Sequence, residues 1–147
     1  LARLGRESAI TECFNADRML PAPGQGALAV EAPTSLEQRD PDLHKALGRL
    51  DDFSTHAAVD AERAVLNALQ AGCTAPVGAL ATVTPDTTKT LEESEIHLQA
   101  LAASVDGSQV IRMSITGAAS NADELGRELA QQLLVAGAAG LLGEPAQ

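Results

Sequence analysis

Between residues 57 and 69 the apolar positions recur at intervals of three and four: Ala57, Ala58, Ala61, Ala64, Val65, Ala68 and Leu69. That spacing draws one stripe down a helix. The pair Asp51-Asp52, with Ser54, supplies side-chain oxygens to cap its first turn, so the pattern predicts a helix from there to Ala71. After it the period falls to two. Val77 to Val83 predicts a first strand, Ile96, Leu98 and Ala100 alternate in a second, and Ile111, Met113 and Ile115 oppose Val110 and Arg112 in a third. Asp106-Gly107 between the last two is a hairpin-turn signal, and residues 84 to 94 read as a polar loop. Leu125, Leu129 and Leu133 restore the helical spacing, with Asn121 as the expected cap, Asp123 and Glu124 in the first turn, and Gly137 as the stop. Helix, three strands, helix describes an α+β unit: a small three-stranded antiparallel sheet covered by helices.

The first 50 residues are less regular. Leu1 to Gly5 reads as the end of a helix stopped at Gly5, and a chain that starts inside a last helical turn reads as a piece of a longer one. Thr11 to Phe14 and Ala27 to Glu31 are expected as strands, joined irregularly through Pro21, Pro23, Gly24 and Gly26. Residues 32 to 42 form a loop in which Asp40 caps a helix with Pro41 at its first position. That helix runs from Asp42 to Leu50 and breaks near Gly48. The expected division is residues 1–49 and residues 50–147.

Composition narrows the function. Hydrophobic residues make up 45% of the chain, yet Phe14 and Phe53 are its only aromatics, so Ala, Leu and Val must fill the core. Base stacking on aromatic rings is nearly excluded, and a formal net charge of −10 opposes both nucleic acid and an acidic membrane surface. Two cysteines, Cys13 and Cys73, without a CxxC pair disfavour a disulfide scaffold or zinc ribbon and fit a reducing cytosol. No apolar run approaches a membrane span and no signal peptide is visible. His44, His56 and His97 have no metal-ligand spacing.

The chemistry concentrates in Gly72-Cys73-Thr74-Ala75-Pro76-Val77-Gly78, which follows the long helix directly. Gly72 can adopt the left-handed conformation that ends a helix, and Pro76 disfavours helix in the residue before it. Cys73 is thereby expected on a forced corner between helix and strand, a place for a covalent attachment or for an ordinary buried thiol. A helix C-terminus disfavours a thiolate, and neither His56 nor His97 is placed as a base, so a thiol that reacts once suits the corner better than a turnover nucleophile. Upstream, Gly24-Gln25-Gly26 lets a ligand approach the backbone amides; the same residues also make a plain tight turn.

Taken in order, Arg18-Met19-Leu20-Pro21-Ala22-Pro23-Gly24-Gln25-Gly26-Ala27-Leu28-Ala29-Val30-Glu31, Ala61-Glu62-Arg63-Ala64 and Leu69 to Ala79 resemble the C-terminal half of the porphobilinogen deaminase (hydroxymethylbilane synthase) family, from Leu1 to about Leu142. The resemblance implies that residues 50–147 are a cofactor-anchoring domain. Residues 1–49 would be the remnant of α/β, periplasmic-binding-protein-like cleft domains. It implies a dipyrromethane cofactor held by a thioether to Cys73, with Arg3, Gly24, Gln25 and Gly26 binding carboxylates of cofactor or substrate. A guanidinium grips a carboxylate with two parallel hydrogen bonds; Arg6 and Arg18 are the alternatives to Arg3. It further implies a cytoplasmic, monomeric enzyme that joins four porphobilinogen molecules head to tail into hydroxymethylbilane with release of ammonia. The catalytic aspartate and most cationic cleft residues would lie in a missing N-terminal half, so no catalytic residue is expected in this chain. Where the family often continues Glu31 with Cys-Arg, this chain has Ala32-Pro33, and its following loop is longer. Glu62 and Arg63 read as a solvated or structural pair, and Cys13 as a buried structural thiol. A non-catalytic α+β ligand-binding module and a thiol enzyme pairing Cys73 with a histidine are the competing readings.

Overall fold

The structure is a computed structural model that describes residues 1–72, 74–86, 88 and 90–142. Three antiparallel strands form the sheet: β1 (Val77–Thr84), β2 (Glu95–Ala103) and β3 (Val110–Ala118), in the order β1-β2-β3. Register pairs Ala81 with Leu98 and Leu98 with Ile115. Ala79, Ala81, Ile96, Leu98, Ala100 and Ala102 therefore point to one face, and all six are buried. The hairpin between β2 and β3 turns at Gly107 (φ +71), beside Asp106. The Asp106 carboxylate accepts from the Ser104 hydroxyl and from the Ser108 amide and hydroxyl, which pulls its pKa down to about 2.

Four short helical elements precede the main ones: 3-10 turns at Ala2–Leu4 and Glu7–Ala9, then α1 (Leu36–Arg39) and α2 (Pro41–Gly48). The first 3-10 turn is stopped by Gly5 at φ +63, and the Asp40 carboxylate caps α2 at Leu43 N, with Pro41 in the first position. The long helix α3 (Phe53–Ala68) is capped by Asp52, which accepts from Thr55 N at 2.8 Å. With α4 (Ala122–Val135) it covers the inner face of the sheet, and α5 (Ala138–Leu142) closes one end. At the crossing of α3 and α4, Gly126 lies so near α3 that a Cβ there would stand 2.3 Å from Ala61 O. The core is built largely of alanine: Ala57, Ala61, Ala64, Ala79, Ala81, Ala100, Ala102, Ala119, Ala122, Ala130 and Ala138 are all buried.

Several expectations need correction. Neither Thr11 to Phe14 nor Ala27 to Glu31 forms a strand. A strand needs a partner's N–H and C=O groups, and among the described residues the one backbone bond from this segment to the sheet runs from Ala79 N to the Pro21 carbonyl, at 3.0 Å. Leu28 is left 96% exposed and Val30 65%. The long helix stops at Ala68, not Ala71, and its left-handed residue is Gln70 (φ +52), not Gly72. Gln70 N donates to Asn67 O and Ala71 N to Leu66 O, the paired bonds of a Schellman ending. Asn121 precedes α4 without a side-chain capping bond. Cys13 is exposed, not buried, on a segment whose residues 1 to 15 pack against no core.

Candidate functional site

Two places carry the chemistry read from the sequence, and they lie toward opposite halves of α3. The first is the turn at Gly24-Gln25-Gly26. Leu20 is buried against β1, so close that a Cβ on Gly78 would stand 3.0 Å from Leu20 Cβ and 3.2 Å from Pro21 O. Gly78 is thus the residue of the corner motif that admits the upstream segment. The chain then reverses at Gly24, whose φ of +76 suits glycine. Gly24 N donates to Glu62 Oε2 at 2.6 Å, and Gln25 N donates to Ala22 O at 3.3 Å. Glu62 is only 5% exposed, and its other oxygen, Oε1, accepts from Ala81 N at 2.8 Å. Gln25, Gly26, Ser54, Thr55, Glu62 and Thr82 are among the residues lining a cavity of about 420 Å³ here.

Glu62 and Arg63 are therefore not a pair. Glu62 faces inward as a tie between segments, while Arg63 is exposed and runs beside Gly24, its Nε 3.8 Å from where a Cβ would sit. The inward role of Glu62 was hidden in the sequence. Its position one residue after buried Ala61 is the only signal, and helical spacing alone makes that a boundary position.

The second place is the corner after α3. Gln70, Gly72, Thr74, Pro76, Val105 and Gln131 are among those lining a cavity of about 590 Å³. Cys73 itself lies outside the described residues. Among the described residues no cationic side chain lines this cavity, and Arg3 lines neither cavity.

The remaining candidates are dispersed. Arg3 and Arg6 are exposed near the start of the chain. Arg18 is committed to Glu12, at 2.5 Å, and to the face of Phe14, 4.4 Å from the ring centroid. His56 Nδ1 lies 2.9 Å from Asp51 and its Nε2 3.6 Å from Asp60. The Asp51 hydrogen bond, then the charges of Asp60 and Asp51, raise the His56 pKa above its ordinary value. His97 contacts Thr116 on the outer sheet face, 3.0 Å away. Among the described residues no group of three or more His, Cys, Asp or Glu side chains is disposed to hold a metal ion. No helix among them is long and apolar enough to cross a membrane.

Comparison with known proteins converges on one family. Residues 56–135 match the family model described as "Porphobilinogen deaminase, C-terminal domain". Residues 1–40 match the one described as "Porphobilinogen deaminase, dipyromethane cofactor binding domain". A porphobilinogen deaminase of Nocardia farcinica is 52% identical over 149 residues, covering 99% of this chain and 41% of the relative. Porphobilinogen deaminase 1 of Streptomyces coelicolor is 46% identical, over 100% of this chain and 45% of the relative. The Acidothermus cellulolyticus porphobilinogen deaminase is 47% identical, over 100% of this chain and 42% of the relative. The chain thus spans less than half the length of these relatives.

Proposed function

The chain belongs to the porphobilinogen deaminase family, and we propose that it is the cofactor-anchoring portion of a hydroxymethylbilane synthase. The whole enzyme would condense four porphobilinogen molecules head to tail, releasing ammonia and then hydroxymethylbilane. The observation that carries this reading is the match of residues 1–40 and 56–135 to the two family models, with the corner motif at residues 72 to 78 inside the C-terminal one. Residues 1–49 belong in this reading to the cleft domains and residues 50–147 to the anchoring domain. In this reading the catalytic aspartate belongs to the whole enzyme and to none of the residues of this chain. The protein acts as a cytoplasmic monomer, with neither nucleic acid nor membrane as partner.

The cofactor of the family is dipyrromethane, and the residues present are compatible with it. The cavity beside Gly72 and Thr74 offers about 590 Å³, and a Cβ on Gly72 would meet nothing within 4 Å. When bound, the cofactor supplies the first pyrrole acceptor, which makes each condensation a reaction between groups already held together. In our reading Cys73 tethers it by a thioether. Gln25 and the Gly26 amide position carboxylates near the turn. Arg3, exposed on the segment matching the cofactor-binding model, supplies a cation. The overall charge of −10 then belongs to the surface away from the cleft.

Intact mass of the purified full-length protein, with peptide mapping, tests the reading. An added dipyrromethane on the peptide containing Cys73 is expected. A bare Cys73 in a protein that turns over porphobilinogen would overturn the anchor assignment.

A further inference from the structure

We infer that Glu62 is a positioning residue that holds the Gly24–Gly26 turn in its ligand-facing shape; this rests on the reading that the turn presents donors to carboxylates. Gly24 and Ala81 lie 38 and 19 residues from Glu62 in sequence, and each gives its backbone N–H to one carboxylate oxygen, at 2.6 and 2.8 Å. One side chain thus joins three segments: the turn, α3 and β1. Hydrogen bonds to an ionised acceptor are roughly twice as strong as neutral ones, and a buried oxygen that loses its donor pays the full cost of desolvation.

The clamp also decides which donors are left for a ligand. Gly24 N–H is spent on Glu62 and Gln25 N–H on Ala22. Among the described residues, the Gly26 N–H and the Gln25 carboxamide have no partner within the chain. A ligand carboxylate near Gly24 N would meet the Glu62 charge, so anionic groups are steered to the Gly26 side of the turn. Because α3 continues to the Gln70–Gly72 corner, the same helix fixes the turn relative to the motif that contains Cys73.

The test uses the full-length protein. Glu62→Gln keeps the shape but removes one acceptor, since a carboxamide nitrogen cannot accept from an N–H. Val65→Ala, in the buried stripe of the same helix, weakens the core and leaves the clamp intact. We expect Glu62→Gln to speed hydrogen exchange at whichever of the Gly24 and Ala81 amides loses its acceptor and to raise KM for porphobilinogen, each by roughly tenfold, as for one lost charged hydrogen bond. kcat should stay within about threefold, because the lost contact serves ground and transition states alike. Val65→Ala should lower the melting temperature and do neither. Unchanged exchange at both amides and an unchanged KM in Glu62→Gln overturn the inference, as does an equal rise of KM in Val65→Ala. Should Glu62→Gln fail to fold, Glu62→Asp applies the same readouts, because the shorter carboxylate cannot reach both amides. Absence of porphobilinogen turnover in the unsubstituted protein would count against the functional reading, and exchange at the Gly24 and Ala81 amides would then decide the clamp.

Discussion

His56 shows how a single side chain can set a pH dependence without being buried. Its ring lies between Asp51 and Asp60, and both favour the imidazolium. The folded pKa is raised above the ordinary 6.5, so the contribution to stability is fully present below that value and is lost as pH rises through the folded pKa. Asp51→Ala removes both the hydrogen bond and the charge that Asp51 supplies. NMR titration of His56 should therefore give a lower midpoint in that variant, and an unchanged midpoint would refute the assignment. Residue-scale features of this kind were only partly legible. The Asp40 and Asp52 caps could be read from type and position, because each needs only local chain to act. The left-handed residue could not. Glycine at 72 was the natural choice, yet the bonds that end α3 close on Gln70, two residues earlier.

At the scale of elements, helices and strands with a buried stripe were legible and those without one were not. Ile96, Leu98 and Ala100 alternate because one sheet face meets α3 and α4. Thr11 to Phe14 and Ala27 to Glu31 have strand-like composition, but among the described residues neither makes a backbone hydrogen bond to the sheet, and composition cannot supply a partner. The α3/α4 crossing carries the sharpest prediction. In Gly126→Ala the new methyl would fall 2.3 Å from Ala61 O and 2.6 Å from Ala64 Cβ, and a backbone carbonyl has little freedom to move away. Helix propensity favours alanine over glycine by about 1 kcal/mol, whereas overpacking costs about 1 to 3 kcal/mol. The clash should win. Urea unfolding of Gly126→Ala should show a lower midpoint, and a higher one would mean that the helices separate without cost.

Across the whole molecule, two regimes of order follow from where the apolar surface is buried. Residues 53 to 142 share one core, while the segment before Pro41 holds on through Leu20, Pro21, the Gly24 clamp and Arg112, whose guanidinium donates to the Ala16 and Asp17 carbonyls at 2.9 and 2.6 Å. Hydrogen exchange should therefore be fast over residues 1 to 15 and slowest in β2, the central strand. Uniform protection along the chain would contradict this division. The motifs at residues 24 to 26 and 72 to 78 were legible as chemistry but not as neighbours, because their placement at different ends of α3 is a property of the packed chain. The alanine core has a genetic consequence. From an alanine codon, one nucleotide change leads to Gly, Ser, Thr, Val, Pro, Asp or Glu, and every one except glycine adds heavy atoms. At Ala61, Ala79, Ala100 and Ala130, each fully buried, drift therefore proposes side chains too large for the space far more often than side chains too small, and this half of the protein tolerates inheritance poorly where it is most tightly closed.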